Sequence, residues 1–360
     1  MSSLYKNDTP PRVVVPAGTS RSAIFEPDAE GFDVGGILAA ANNEVPLIDP
    51  KQLKHHKSLG EGTTFDVRCE VFTPANPFAH SYYVAVKYMR LAGKTKLAKR
   101  AMSRSLMREI KVMTHPALSL HGCIVPLLGY GWRNDPRDGA MPYLITDYSD
   151  SGTLKDYLGN FKTSDRERQE LALDVAVGLT ALHENNIVHG DVKLSNVLVY
   201  GVTGRFFTTR PQSAKLADFG STIFQQDFAR HSGTSRYRGT PIYNAPEFQG
   251  NDEGDKRATF IDCTRADVYS FGLLTWETMA GGKSYHATIT SAQNDVIAVT
   301  ISDSDHVLQV LQGLLETPLV HLISVPKEVI QSTLGGCLSH HPESRKTMSE
   351  IVKILSQGAE

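Results

Sequence analysis

The chain has 360 residues, 41% apolar and 21% charged, enough to bury the core of two domains or of one domain with two lobes. Lys and Arg total 37 against 39 Asp and Glu, a net charge of -2, and no long basic run supplies the stripe that a dedicated nucleic-acid binder needs. Cys69, Cys123, Cys263 and Cys337 stand far apart with no CxxC pair, which argues against zinc and against a disulfide framework and fits a reducing cytosol or nucleus. The N-terminal stretch lacks the apolar core of a signal peptide and no segment approaches the length of a membrane span, so a cytoplasmic protein without a membrane span is expected.

In chain order, residues 1–50 mix Pro10, Pro11, Pro16 and Pro27 with glycine and acidic residues. They show no sustained periodicity apart from a short apolar stretch from Ile37 to Ala41, and read as a flexible N-terminal extension. From Leu53 to Arg90 the runs DVRCEVF and SYYVAVKYM, rich in β-branched and aromatic residues, predict an antiparallel sheet. RAMSRSLMREIKVM predicts a helix, and CIVPLLGYGW and MPYLITDY predict two more strands, so residues 51–148 form a small lobe, mostly strand. After the turn at Ser151 and Gly152 the pattern becomes helical, with Leu171, Val175, Leu179 and Leu182 on one face, and residues 149–360 form a second, mainly helical lobe. The stretch from Gly281 to His306 is polar and aperiodic and suggests no element.

Three short segments carry chemistry. LGEGTTFDV, from Leu59 to Val67, has two glycines between strand-like runs, which lets backbone bend over phosphate oxygens or simply close a hairpin. One strand later Lys87, flanked by Ala85 and Val86, needs an anionic partner if it is not a surface lysine. A ligand phosphate and the carboxylate of Glu109 on the following helix are the candidates. IVHGDVKLSNVLV then concentrates Asp191, Lys193 and Asn196 on a loop between two apolar runs. A carboxylate there can accept the proton of an attacking hydroxyl, an ammonium can neutralise a transferring phosphate, and an amide oxygen can bind a metal ion. In KLADFG, Asp218 ends an apolar strand and is suited to hold magnesium.

The set GxG, VAVK, Glu109, HGDVKLSN, DFG and APE (Ala245 to Glu247) resembles, in order and approximate spacing, the eukaryotic protein kinases, over residues 53 to 357. The resemblance implies an α+β, bilobal protein kinase fold that uses ATP and Mg2+ and takes protein substrates. By it Gly60, Glu61 and Gly62 belong to the loop over the ATP phosphates, Lys87 holds the α and β phosphates, and Glu109 positions Lys87. Asp191 is implied as the catalytic base, Lys193 as the γ-phosphate contact, and Asn196 and Asp218 as the magnesium ligands. Leu59, Val67, Ala85 and Leu198 would sandwich the adenine, Thr146 would be the gatekeeper, and the backbone of Asp147 and Tyr148 would bond the adenine edge. Met113, Leu127, His189 and Phe219 match a stacked column anchored by Asp267, and Glu247 with Arg345 a buried ion pair.

Two departures stand out: Phe65 replaces the third glycine of the phosphate loop, and Gly190 replaces the arginine before the catalytic aspartate. Without that arginine, activity is expected not to depend on pairing it with a phosphate in the segment that holds Ser232, Thr234 and Ser235. Lys193 and Thr240 resemble the serine/threonine branch, which makes a serine/threonine protein kinase the expected function. The alternative is a nucleotide-binding pseudokinase scaffold, though Lys87, Asp191 and Asp218 are all kept. The 21 residues between Asn196 and Asp218 resemble a hairpin longer than that of most relatives.

Overall fold

The computed structural model describes residues 45–61, 65–90, 93–135, 139–201, 210–230, 237, 239–249, 258–292, 304–314 and 324–357. Among these, β1 (Leu53–Glu61), β2 (Phe65–Phe72), β3 (Tyr82–Met89), β4 (Leu127–Asp135) and β5 (Gly139–Asp147) form one antiparallel sheet in the order β1-β2-β3-β5-β4. Alternation along β3 decides its two faces. Val84, Val86 and Tyr88 pack with Tyr143 and Ile145 in one apolar cluster, while Ala85 and Lys87 point the other way, toward the second lobe. Helix α1 (Lys96–Met113) lies between β3 and β4. Thr95 caps it by accepting from the Ala98 amide at 3.2 Å, and Met102, Leu106, Ile110 and Met113 recur at helical spacing on its buried face.

Val45 to Ile48, the end of the segment read as an extension, dock on the outer edge of this sheet. Leu47 bridges Tyr130 in parallel, the Ile48 amide donates to the Tyr130 carbonyl at 2.8 Å, and Val45 is buried in the main core. Gly129 and Gly131 permit the approach, because a Cβ on either would come within 2.6 Å of Ile48. The covered edge is thereby removed from pairing with other chains.

The second lobe is built on α2 (Leu154–Asn160), α3 (Asp165–Glu184) and α5 (Phe260–Met279), with α4 (Gln225–Arg230) between the last two in sequence. Leu171, Val175, Leu179 and Leu182 of α3 are all buried, as their spacing predicts. Helix α5 is capped by a Thr259–Asp262 box and is buried on nearly every side from Ala266 to Met279, so it forms the axis of the lobe. Two-stranded pairs flank α3: β6 (Ile187–Val188) with β9 (Ile223–Phe224), and β7 (Val197–Gly201) with β8 (Gln212–Leu216). The connection between β7 and β8, residues 202–209, lies outside the described residues, as do residues 1–44.

Further on come α6 (Tyr285–Ala292), α7 (Ser304–Leu314), α8 (Lys327–Cys337) and α9 (Met348–Leu355). Helix α6 departs from the sequence reading, which assigned no element there. Its residues are weak helix formers, and the helix is set by Tyr285, whose ring is buried against Tyr243 and whose amide donates to Glu277 at 3.0 Å.

Candidate active site

The two lobes meet at a cleft whose roof is the Lys87 face of the sheet. The register places Val67 and Leu144 opposite Lys87, and Thr146 opposite Ala85, so these side chains share that face. Lys87 Nζ donates to Glu109 Oε2 at 2.8 Å, joining β3 to α1. The Glu109 side chain is 1% exposed and its Oε1 has no hydrogen-bond partner in the structure. Burial would lower the Lys87 pKa, but the Glu109 and then the Asp218 carboxylate overcome it, so the ammonium is held above its usual value. The ring of Phe65 lies 5.6 Å from the same ammonium, a cation–π contact that no glycine could make. At the cleft mouth Leu59 is exposed, Gly60 sits beside a register shift in β1, and Glu61 ends that strand. Gly62 lies outside the described residues. Thr146 and Asp147 are buried at the end of β5, followed by Tyr148 and the hinge into the second lobe, and Leu198 bridges Thr153 from below.

On the floor, β6 delivers the chain into the loop 189–196. Lys193 Nζ donates to Asp191 Oδ2 at 2.7 Å and to Thr240 Oγ1 at 2.8 Å. Thr240 closes the triangle: its hydroxyl donates to Asp191 Oδ1 at 2.7 Å and its amide to the same oxygen at 2.9 Å. Asn196 Nδ2 donates to the Asp191 carbonyl at 2.8 Å and to Oδ2 at 2.9 Å, which leaves its amide oxygen free of that task. Burial alone would raise the Asp191 pKa, yet the hydrogen bonds from Lys193 and Thr240 and the nearby ammonium charge hold the carboxyl below its ordinary value. Asp191 is therefore ionised at neutral pH, and it is oriented on both oxygens.

Asp218 stands at the turn after β8 with φ 62°, the left-handed region, and this conformation aims the chain so that Phe219 enters the core. The Phe219 ring sits 5.5 Å from that of His189, and both are fully buried, with Met113 and Leu127 in the same cluster. Beneath the loop, Asp267 of α5 accepts from the His189 amide at 2.7 Å and the Gly190 amide at 2.9 Å. Farther out, Arg345 grips Glu247 with two bonds, 2.6 and 2.8 Å, and its side chain is 0% exposed. The cleft thus brings Lys87, Glu109, Asp191, Lys193, Asn196 and Asp218 together from four separate segments of chain.

Sequence reasoning passed over Ser149 and Tyr237. Ser149 Oγ donates to the carbonyls of Gly152 and Val199, at 2.9 and 2.5 Å, and pins the hinge to β7. The residue type gave no signal, since serine in a turn is ordinary. Among the described residues no group of three or more His, Cys, Asp or Glu forms a metal-binding cluster, and no helix is long and apolar enough to cross a membrane.

Residues 53–355 match the protein kinase domain model. The chain is similar to the "Probable serine/threonine-protein kinase mkcD" of Dictyostelium discoideum, 26% identical over 94% of this chain and 47% of that protein. It is 34% identical to the calmodulin-binding receptor-like cytoplasmic kinase 3 of Arabidopsis thaliana over 46% of this chain and 30% of that one. It is also 28% identical to the serine/threonine-protein kinase BIK1 of the same plant, over 66% and 56% of the two chains. The matched region therefore spans about half or less of each of these relatives. With a family model across most of its length and the family's charged groups converging in one cleft, this chain belongs to the protein kinase family.

Proposed function

We propose that the chain transfers the γ-phosphoryl group of ATP to serine or threonine hydroxyls of proteins, and that residues 51–148 and 149–360 are the two lobes that do so, preceded by an extension over residues 1–50. The observation that carries this reading is the triangle of Asp191, Lys193 and Thr240, because it holds an ionised carboxylate and an ammonium side by side at the base of the cleft. Asp191 accepts the proton of the substrate hydroxyl as its oxygen bonds to the γ-phosphorus, and the bond from that phosphorus to the β,γ-bridging oxygen breaks, releasing ADP. Lys193 balances charge on the transferring oxygens, and Lys87, aligned by Glu109, draws the α and β phosphates into line. Leu59, Gly60, Glu61, Gly62, Val67, Ala85, Thr146, Asp147, Tyr148 and Leu198 surround the nucleotide.

Asp218 and Asn196 would hold Mg2+, which supplies charge neutralisation for the triphosphate when bound. One carboxylate and one amide oxygen suit it: Mg2+ prefers oxygen donors, keeps several waters, and needs few protein ligands beside phosphate. Lys193 and Thr240 match the serine/threonine branch of the family, which supports a serine or threonine acceptor, and the Thr240 hydroxyl lies 2.7 Å from Asp191 Oδ1. A cytoplasmic location belongs to the same proposal.

The test is phosphoproteomics on cells expressing the intact chain or the Asp191→Asn variant. Phosphoserine and phosphothreonine sites that depend on Asp191 are expected, whereas dependent sites that are all phosphotyrosine would overturn the assignment.

A further inference from the structure

The residue before Asp191 is Gly190, at φ +77°, and a Cβ there would lie 2.5 Å from the Ser221 carbonyl oxygen. At this junction Gly190 meets the Ser221 carbonyl closely and itself contributes no cation to receive a phosphate. On the other side of the loop the same segment returns with Tyr237. Its ring is buried and stacks on Phe248 at 4.8 Å, and its hydroxyl reaches Asp267 Oδ1 at 3.3 Å, beside the Ser270 hydroxyl.

Asp267 is 0% exposed, so each lone pair on its carboxylate needs a donor. Oδ2 has the His189 amide and His183 Nε2, at 2.7 and 3.0 Å. Oδ1 has the Gly190 amide and the Tyr237 hydroxyl. One buried carboxylate thus ties the end of α3, the two backbone amides leading into Asp191, and a tyrosine from the segment that also delivers Thr240. Burial and then the Asp267 charge push the Tyr237 phenol well above its usual pKa, so it remains a donor. Gly239 keeps the packing close: a Cβ there would meet the Tyr237 ring at 2.9 Å and the Gly190 carbonyl at 3.1 Å.

We propose that Tyr237 is a positioning residue for phosphotransfer, whose buried hydroxyl fixes Tyr237, and with it nearby Thr240, on the catalytic loop through Asp267, where Gly190 offers no arginine. The inference rests on the kinase reading, and it makes the seating a property of the unmodified chain. Phosphate on that segment is not required to hold Thr240 against Asp191.

The experiment uses the full chain with Tyr237→Phe, which removes one oxygen and keeps the ring. The loss of one hydrogen bond to a charged group is expected to lower kcat about tenfold, with KM for ATP within about twofold of wild type because the nucleotide side of the cleft is untouched. The fold loss is the same before and after phosphatase treatment. In 15N-glycine-labelled protein the Gly190 amide resonance, which shares Oδ1 with the hydroxyl, is expected to shift. A merely structural role would lower the melting temperature and leave kcat per folded molecule unchanged. An unchanged kcat, a KM for ATP that rises with the loss, a loss that phosphatase treatment alters, or an unmoved Gly190 resonance overturns the inference. Were wild type itself inactive, the kinase reading would fail separately and the Gly190 resonance alone would decide.

Discussion

Thr240→Val is the most informative change to the floor of the cleft, because it keeps the shape of the side chain and deletes one hydroxyl. That hydroxyl donates to Asp191 Oδ1 at 2.7 Å and accepts from Lys193 Nζ at 2.8 Å. A hydrogen bond to a charged group contributes about 1.5–3 kcal/mol net. The Asp191 and Lys193 side chains are 14% and 23% exposed, so water recovers part of each loss, and the two together are taken as about 2.7 kcal/mol. At about 1.36 kcal/mol per tenfold, that is a fall of roughly 100-fold in kcat. Thr240→Ser restores the hydroxyl and is expected to recover most of it.

There is also a signature in pH. The Asp191 carboxyl is depressed in the folded protein and loses one of its causes with the hydroxyl, so its pKa rises toward the ordinary range. The ionised form prevails above the folded pKa and is lost as pH falls through it, so the acid limb of kcat moves to higher pH in the valine variant. The assay is initial rates with γ-labelled ATP and a generic basic protein substrate from about pH 3, below the ordinary carboxylate range, up to about pH 8. A valine variant within about threefold of wild type, with an unmoved acid limb, would refute the assigned geometry.

Arg345→Met strips the cation from a buried bidentate pair and orphans the carbonyls of Ser339 and His340 that the guanidinium also holds, so a stability loss of about 3–5 kcal/mol is expected in urea titration; less than about 1 kcal/mol contradicts a structural role. Lys87→Met leaves the buried Glu109 carboxyl without its cation, and burial then raises its pKa further. With a raised folded pKa, stability is fully present at low pH and falls as pH rises, so the variant should lose more stability than wild type between pH 5 and 7.5. Parallel curves for the two proteins count against the pair. All four cysteines are buried, and burial pushes the Cys123 and Cys263 thiols up to about 12. No thiol is expected to react with Ellman's reagent in native protein, and fast stoichiometric labelling of one would contradict that burial.

Much of the site was legible because its chemistry is local in sequence. Asp191, Lys193 and Asn196 fall within six residues, so spacing placed them on one loop, and Lys87 was marked by its place in an apolar strand, whereas the adenine-side role of Ala85 was implied only by the family resemblance. What escaped depends on partners remote in the chain. Val45 to Ile48 bond an edge more than 80 residues away, and nothing in PLID reads as a strand. The first turn of α6 is held by Glu277, an acid on another helix, against its own weak propensity. Tyr237 stands in a polar stretch rich in Arg and Ser, where no periodicity marks it as buried, and only the position of Asp267 explains it.

Phosphotransfer from γ-labelled ATP with Mg2+, measured on purified wild type beside Asp191→Asn, tests the catalytic cleft most directly. Label should enter serine or threonine of protein with wild type and fall by about a thousandfold or more in the variant, whose fold and nucleotide binding persist. Equal incorporation by the two proteins, or none by wild type while it binds nucleotide, would contradict a catalytic role for this aspartate and for the cleft around it.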